Sequence, residues 1–294
     1  MATAHVLVGA GTQAAWPVVR RISPADLLQA LRSGLDDFAA MPSHAVFLCI
    51  IYPFLGITLI SLTFGYAMLP LLFPLAAGFA LIGPVAAIGL YELSRRREAG
   101  LDTDTTHVFD VLRSRSLGAI VALAILLMAI FIVWLAVAQA IYVAHFGYAA
   151  PPSIRQFIDD VLFTPSGWSL IIVGTGVGFL FAVLVLTISV VSFPLLLDRD
   201  VGAAVALLTS VRAVAANPGT MALWGLIVAG LLLLGSLPFF LGLTVVMPVL
   251  GHSTWHLYRR VIEPDPAAQA AFRPERTNYR SAADFPSALF APRE

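Results

Sequence analysis

The sequence predicts an all-α, polytopic membrane protein of six transmembrane helices. Three observations lead there: the composition, the lengths of the apolar runs and the placement of the arginines. Of 294 residues, 59% are hydrophobic and 12% charged, and the mean hydropathy is +0.90. A soluble domain of this length carries about a quarter charged residues. The charges here gather in short segments, leaving Ala45 to Leu90 and Leu117 to Val143 without Asp, Glu or Arg. Such stretches are solvated by a bilayer. The formal net charge is zero, which argues against a nucleic-acid partner, since phosphate recognition needs a concentrated basic surplus. The single cysteine, Cys49, lies in the first apolar run and excludes an intrachain disulfide or a thiolate metal cluster. No basic segment precedes the weakly apolar stretch from His5 to Gly11, so it does not read as a cleavable signal peptide. The first span is expected to serve as the insertion signal.

A helix needs about 20 apolar residues to cross the hydrocarbon core. The run from Ala45 to Tyr91 is twice that and must fold back, with Phe64-Gly65-Tyr66 as the turn and Pro70 near the start of the returning helix. The third span is expected from about Leu117 to Tyr142, and a long fourth from about Trp168 to Leu197. Met221 to Tyr258 supplies the fifth and sixth, turning near Gly235-Ser236-Leu237-Pro238. Short cytoplasmic loops retain arginine. Arg20, Arg21 and Arg32 precede the first span, Arg95, Arg96, Arg97, Arg113 and Arg115 separate the second from the third, Arg199 and Arg212 join the fourth to the fifth, and Arg259 and Arg260 follow the sixth. Only Arg155 falls in a loop of the other side. Both termini are therefore expected in the cytoplasm.

The membrane domain is expected over residues 23–260. Residues 1–22 and the Pro/Ala-rich segment 261–294, with Phe272, Tyr279, Phe285 and Phe290, are expected to be flexible tails. Ser23-Pro24 followed by Asp26 reads as a helix start. Leu27, Leu28, Leu31, Leu35 and Phe38 then fall on one face with Arg32, Asp36 and Asp37 off it, the pattern of a helix lying in the membrane interface. Before the fifth span, Asp200 is placed to cap a segment with the stripe Val201, Val205, Leu208 and Val211. Val108, Phe109 and Leu112 give a shorter version before the third. With the echoes Leu31-Arg32-Ser33, Leu112-Arg113-Ser114 and Leu208-Thr209-Ser210, this suggests three parallel repeats of an amphipathic surface helix plus a transmembrane hairpin.

Carboxylates and arginines are absent from the centre of every predicted span, and no Ser/His/Asp, Cys/His or paired-carboxylate set shares a predicted depth, so catalysis has no visible candidate. Tyr52, Thr58, Ser61, Gln139, Thr187, Ser189 and Ser192 read as hydrogen-bonding residues of helix packing. His252 and His256 stand one turn apart, where they could face one metal or haem iron with His44 or Glu92 as third ligand. Against that, with Trp255 and Tyr258 they read as an interfacial belt. No metal and no cofactor is assigned. Gly174 and Gly178 form a helix-packing GxxxG surface rather than a phosphate loop, because no Lys-Ser/Thr follows. Prolines 53, 70, 74, 84, 194, 238 and 248 mark kinks or span ends. Arg95, Arg96, Arg97, Arg259 and Arg260 are assigned to topology or lipid headgroups.

The phrases Gly34-Leu35-Asp36-Asp37-Phe38, the run from Leu69 to Glu92, Ser192-Phe193-Pro194-Leu195-Leu196-Leu197-Asp198-Arg199-Asp200 and Gly251-His252-Ser253-Thr254-Trp255-His256-Leu257-Tyr258-Arg259 resemble a family of uncharacterised bacterial integral membrane proteins. The resemblance runs from about Val18 to Val261. Some members of that family carry a cytochrome c oxidase label. Half the helices of an oxidase catalytic subunit and no buried histidine set mean that the label implies at most an accessory or assembly role beside an oxidase. The expected function is a non-catalytic accessory, assembly or scaffolding subunit whose partners are the lipid bilayer and other membrane subunits or a second copy. The alternative is a small-molecule or lipid transporter or channel, which would need a polar-lined cavity reaching mid-membrane.

Overall fold

A computed structural model describes residues 16–41, 69–71, 73–75, 83–238 and 241–265. The expected first span with His44, Cys49, Tyr52, Pro53, Thr58 and Ser61, the turn at Phe64-Gly65-Tyr66 and the aromatics of the C-terminal tail lie outside the described residues. The chain divides into two units, Met1–Glu263 and Pro264–Glu294. Of the second, only Pro264 and Asp265 are described.

Helix α1, Pro24–Ala40, begins at the expected capping box, where Asp26 Oδ2 accepts from the Ser23 amide at 2.8 Å and from Ser23 Oγ at 2.7 Å. Those bonds hold the Asp26 carboxyl below its ordinary value. Then come α2, Ile88–Glu98, and a 3-10 segment, Thr105–Arg113. The long α3 spans Leu117–Phe146, followed by a short α4, Ile154–Phe163. Helices α5, Pro165–Ser189, and α6, Ser192–Asp198, form one broken rod, and α7 is Ala203–Ala216. Finally α8, Pro218–Ser236, and α9, Leu243–Val261, fold back on each other. At that turn Gly235 and Gly242 approach so closely that a Cβ on Gly242 would lie 2.8 Å from the Gly235 Cα.

Among the described residues three helical stretches are long and apolar enough to cross a membrane: Leu117–Phe146, Pro165–Asp198 and Pro218–Ser236. They match the expected third, fourth and fifth spans. The expected sixth, α9, has 19 residues but carries a polar C-terminal half and is not among the three. The proposed repeats do not share one geometry either, since the middle surface segment is a 3-10 helix where α1 and α7 are α-helices.

The break in the fourth span has a local cause. Thr187 Oγ1, Ser189 Oγ and Ser192 Oγ each donate to the carbonyl four residues back, at 2.7, 2.6 and 2.7 Å, a pattern that bends helices. Backbone groups loosened there find Ser210 of α7, whose hydroxyl donates to the Thr187 carbonyl at 2.8 Å and accepts from the Val191 amide at 3.2 Å. A buried helix break needs such partners, because unpaired backbone groups away from water are costly. Helix α7 itself starts from Gly202, at φ 78, so the expected cap at Asp200 is not formed. The left-handed conformation suits a residue without a Cβ.

The faces that α1 and α7 bury differ from the expected leucine stripes. Leu27, Ala30, Gly34 and Asp37 of α1 are buried, while Leu28 and Leu35 are each 50% exposed. In α7 the buried residues are Ala203, Ala206, Thr209, Ser210 and Ala213, and Leu208 is 45% exposed. In a bilayer, apolar side chains gain little by leaving lipid, so close approach of small residues decides which face meets protein. The α1 face packs along α9 in antiparallel sense, Arg260 reaching Asp26 at 3.1 Å and His256 reaching Asp37 at 2.9 Å.

The segment before α1, expected to be a flexible tail through residue 22, is bonded from Val18 onward. Val19 bridges Ile262, and the Arg20 amide donates to the Val261 carbonyl at 2.7 Å. Asn217, at the junction of α7 and α8, accepts from the Ile22 amide at 2.8 Å and donates to the Arg20 carbonyl at 3.0 Å.

Candidate functional site, a buried polar seam

Three separate elements bring Asp37, Ser94 and His252 together, residues that lie far apart in sequence. The Asp37 side chain is only 4% exposed and sits between α1, α2 and α9. Ser94 Oγ lies 2.6 Å from Asp37 Oδ2 and 2.7 Å from His252 Nδ1. His256 Nε2 lies 2.9 Å from the same Oδ2, and Arg97 closes an ion pair on Oδ1. Burial alone would raise the Asp37 carboxyl, but the bonds from His256, Ser94 and Arg97 outweigh it and hold it below the ordinary value of 3.8.

The proton inventory assigns roles. Ser94 has one hydroxyl proton, and its short contact to an ionised carboxylate uses it. With that proton committed, His252 Nδ1 is assigned as the donor to Ser94 Oγ, and the Leu90 backbone also lies against the ring. The order is thus Asp, Ser, His, whereas a nucleophile triad needs the histidine between the serine and the acid to take the serine's proton. Here the histidine donates a hydrogen bond to the serine and takes no proton from it. The seam ties helices together and is not an activated nucleophile.

Around it the arginines assigned to topology or headgroups are engaged within the chain. Arg95 makes a two-pronged bond with buried Glu92, both contacts at 2.8 Å. Arg96 donates to the Asp102 carbonyl at 2.6 Å and to Asp110 at 3.2 Å. Arg259 grips Glu98 at 2.9 Å and reaches Asp198 at 3.6 Å. Trp255 Nε1 donates to Glu98 at 3.0 Å and Tyr258 Oη to Asp198 at 2.6 Å. His252, Trp255 and Tyr258, expected as an interfacial belt, are instead fully buried core. Both histidines face Asp37, whose carboxylate is engaged by Ser94 and Arg97, and Glu92, one of the two expected third-ligand candidates, is taken by Arg95. Among the described residues no group of three such side chains is arranged to hold a metal ion.

Gly174 and Gly178 part company. A Cβ on Gly178 would lie 3.0 Å from the Trp134 ring, whereas Gly174 has no described atom within 4 Å of that position. Trp134 is buried, stacks at a tilt on Phe181 with centroids 5.4 Å apart and donates from Nε1 to the Pro74 carbonyl at 2.9 Å. Gly178 therefore serves the α3 to α5 contact inside the chain.

Asp37 lies off the apolar stripe of α1 and so is not marked by the leucine pattern. The signal was the spacing of Ala30, Gly34 and Asp37, a small-residue face ending in an acid.

Helices of this length and apolarity, with charges confined to clusters near their ends, define an integral membrane protein. Residues 72–198 match the family model described as "Predicted integral membrane protein (DUF2189)". The match is narrower than the Val18 to Val261 of the resemblance, and the oxidase label is no part of that description. No curated protein and no solved structure matches the chain.

Proposed function

We propose that this protein is a non-catalytic accessory, assembly or scaffolding subunit of the bacterial inner membrane, multi-pass, with both termini in the cytoplasm. The observation that carries the reading is a contrast between ends and flanks. The charged groups between α1, α2, α6 and α9 bond to one another, and the flanks of α3 and α8 stay uncovered, while the span formed by α5 and α6 is the one the others pack around, its window 61% buried. Of their most apolar windows, α3 buries 22% and α8 buries 17%. Ile125 and Ile132 on α3 and Leu226, Leu233 and Leu234 on α8 are each more than half exposed. Such flanks accept lipid or the helices of a neighbouring subunit, and small residues set where helices come closest. A respiratory oxidase is one neighbour to look for.

Two glycines make the test specific. Gly174→Leu is expected to reduce co-purification of a partner chain, or of a second copy, in mild detergent while the chain itself stays folded. Gly178→Leu is expected to destabilise the chain through its clash with Trp134. If the wild type migrates alone and Gly174→Leu changes nothing, the scaffold reading fails and transport becomes the better account. For topology, reporter fusions after Glu263 should be active only in the cytoplasm and fusions near Pro151 only in the periplasm. A periplasmic C-terminus would overturn the orientation.

A further inference from the structure

With Arg95, Arg96, Arg97, Arg259 and Arg260 bonded within the chain, the question is which cations are left to face the membrane. Arg32, Arg113 and Arg212 are exposed, and each follows an exposed apolar residue by four positions. Leu28 and Arg32 share the open face of α1 with Leu35. Phe109, 64% exposed, precedes Arg113, whose side chain is 89% exposed and only 3.9 Å from Asp110 at its nearest. Leu208 precedes Arg212, which stacks on the Trp16 ring at 4.3 Å and has no described acceptor. In a helix a spacing of four puts both residues on one face. In the 3-10 segment Phe109 and Leu112 line up directly, with Arg113 beside them.

We propose that these three pairs form a surface that binds anionic phospholipid, the leucines and phenylalanine entering the acyl region and the guanidinium groups reaching the headgroup phosphates. Arginine suits this role because its apolar stem lies along the lipid while its planar fork pairs with phosphate. Two further features point to lipid rather than to a protein partner. The 3-10 segment and α7 lead directly into the spans α3 and α8, at Leu117 and Pro218, so the pairs stand where a bilayer surface must be. Beneath Phe109 and Leu112, between α2 and α3, lies an apolar crevice of about 390 Å³ walled by Ile88, Leu117 and Val121. An acyl chain fits that lining, and its headgroup would fall beside Arg113.

The test compares full-length protein with the variant Arg32→Gln, Arg113→Gln, Arg212→Gln, counting phosphatidylglycerol and phosphatidylcholine molecules retained by native mass spectrometry from mixed micelles. The wild type should prefer phosphatidylglycerol, and the variant should lose that preference by about a hundredfold, about fivefold for each arginine, given the typical attraction of each arginine to an anionic surface. The matching Arg-to-Lys variant should keep most of it. Arg155→Gln, which removes an exposed arginine from α4, should leave it unchanged. The three single variants, each altering only an exposed side chain, carry the same comparison if the triple variant fails to insert. Undiminished preference in the Gln variants, or an equal loss in Arg155→Gln, overturns the proposal.

Discussion

Replacing Gly34 by valine is expected to undock α1 from α9 and to lower stability by about 3 kcal/mol or more, the upper end of what overpacking costs. A Cβ at position 34 would stand 2.0 Å from Ser253 Oγ, 2.7 Å from the Ser253 amide nitrogen and 2.9 Å from its Cα. A hydroxyl can rotate away, but the backbone atoms cannot, so the helices must separate. Separation also breaks the Asp37 contacts one turn along, which is why the effect exceeds that of a local clash. Gly34→Ala should show the same direction at smaller size, although alanine favours an isolated helix by about 1 kcal/mol over glycine. That opposition makes the test informative, since propensity and packing predict opposite signs. Limited trypsin digestion reads the outcome, because Arg32 lies in the middle of α1 and is cut readily only when the helix leaves its partner. Ser253→Gly in the Gly34→Ala background should restore part of the protection by removing the hydroxyl, and only part, because the amide and Cα remain. Wild-type resistance in Gly34→Val would show that α1 does not sit on α9.

How much of this was legible in the sequence follows from which forces leave a periodic trace. The apolar runs at Leu117 and Met221 gave their spans because lipid demands length, and length can be counted. The start of α1 was legible because Ser23, Pro24 and Asp26 act on one another within four residues. Helix α4 falls where the arginine pattern expects a loop, yet it carries a local signal: Ser153 accepts from the Gln156 amide at 3.1 Å, and Ile154, Ile158 and Leu162 recur at helical spacing. The burial of Asp37 was hidden for a physical reason. In water a leucine stripe marks the protein-facing side of a helix, whereas in a bilayer lipid serves a leucine as well as a neighbour does. Leu28 and Leu35 therefore pointed to the wrong face, and the small residues Ala30 and Gly34 carried the information. The seam also needs α2 and α9 to meet α1 across 57 and more residues of sequence, a long-range coincidence that no local pattern records.

Asp37→Ala is expected to be the most damaging change that leaves the backbone free of clashes. It removes at once the acceptor for Ser94, His256 and Arg97, and it leaves Ser94 and His252 buried without their shared anchor. Breaking a buried charge pair by deleting one partner costs about 3–5 kcal/mol. The Arg97 side chain is 39% exposed, so water compensates part of its loss and the low end of that range, about 3 kcal/mol, is expected. Asp37→Asn keeps the shape and one acceptor oxygen and should cost less than the alanine change. Ser94→Ala combined with Asp37→Ala should be clearly less than additive, because both delete the same bond. Acid gives an independent readout with a definite sign. The folded-state carboxyl is held below its ordinary value of 3.8, so the unfolded chain binds the proton more tightly and the contribution is fully present at neutral pH. It is lost only as pH falls below that ordinary value and through the lower folded-state value. Thermal unfolding in detergent should therefore show a wild-type acid destabilisation in that range which Asp37→Asn lacks. If the two proteins lose stability in parallel below that value, Asp37 is not the group that clasps α1, α2 and α9 together, and the seam is packing alone.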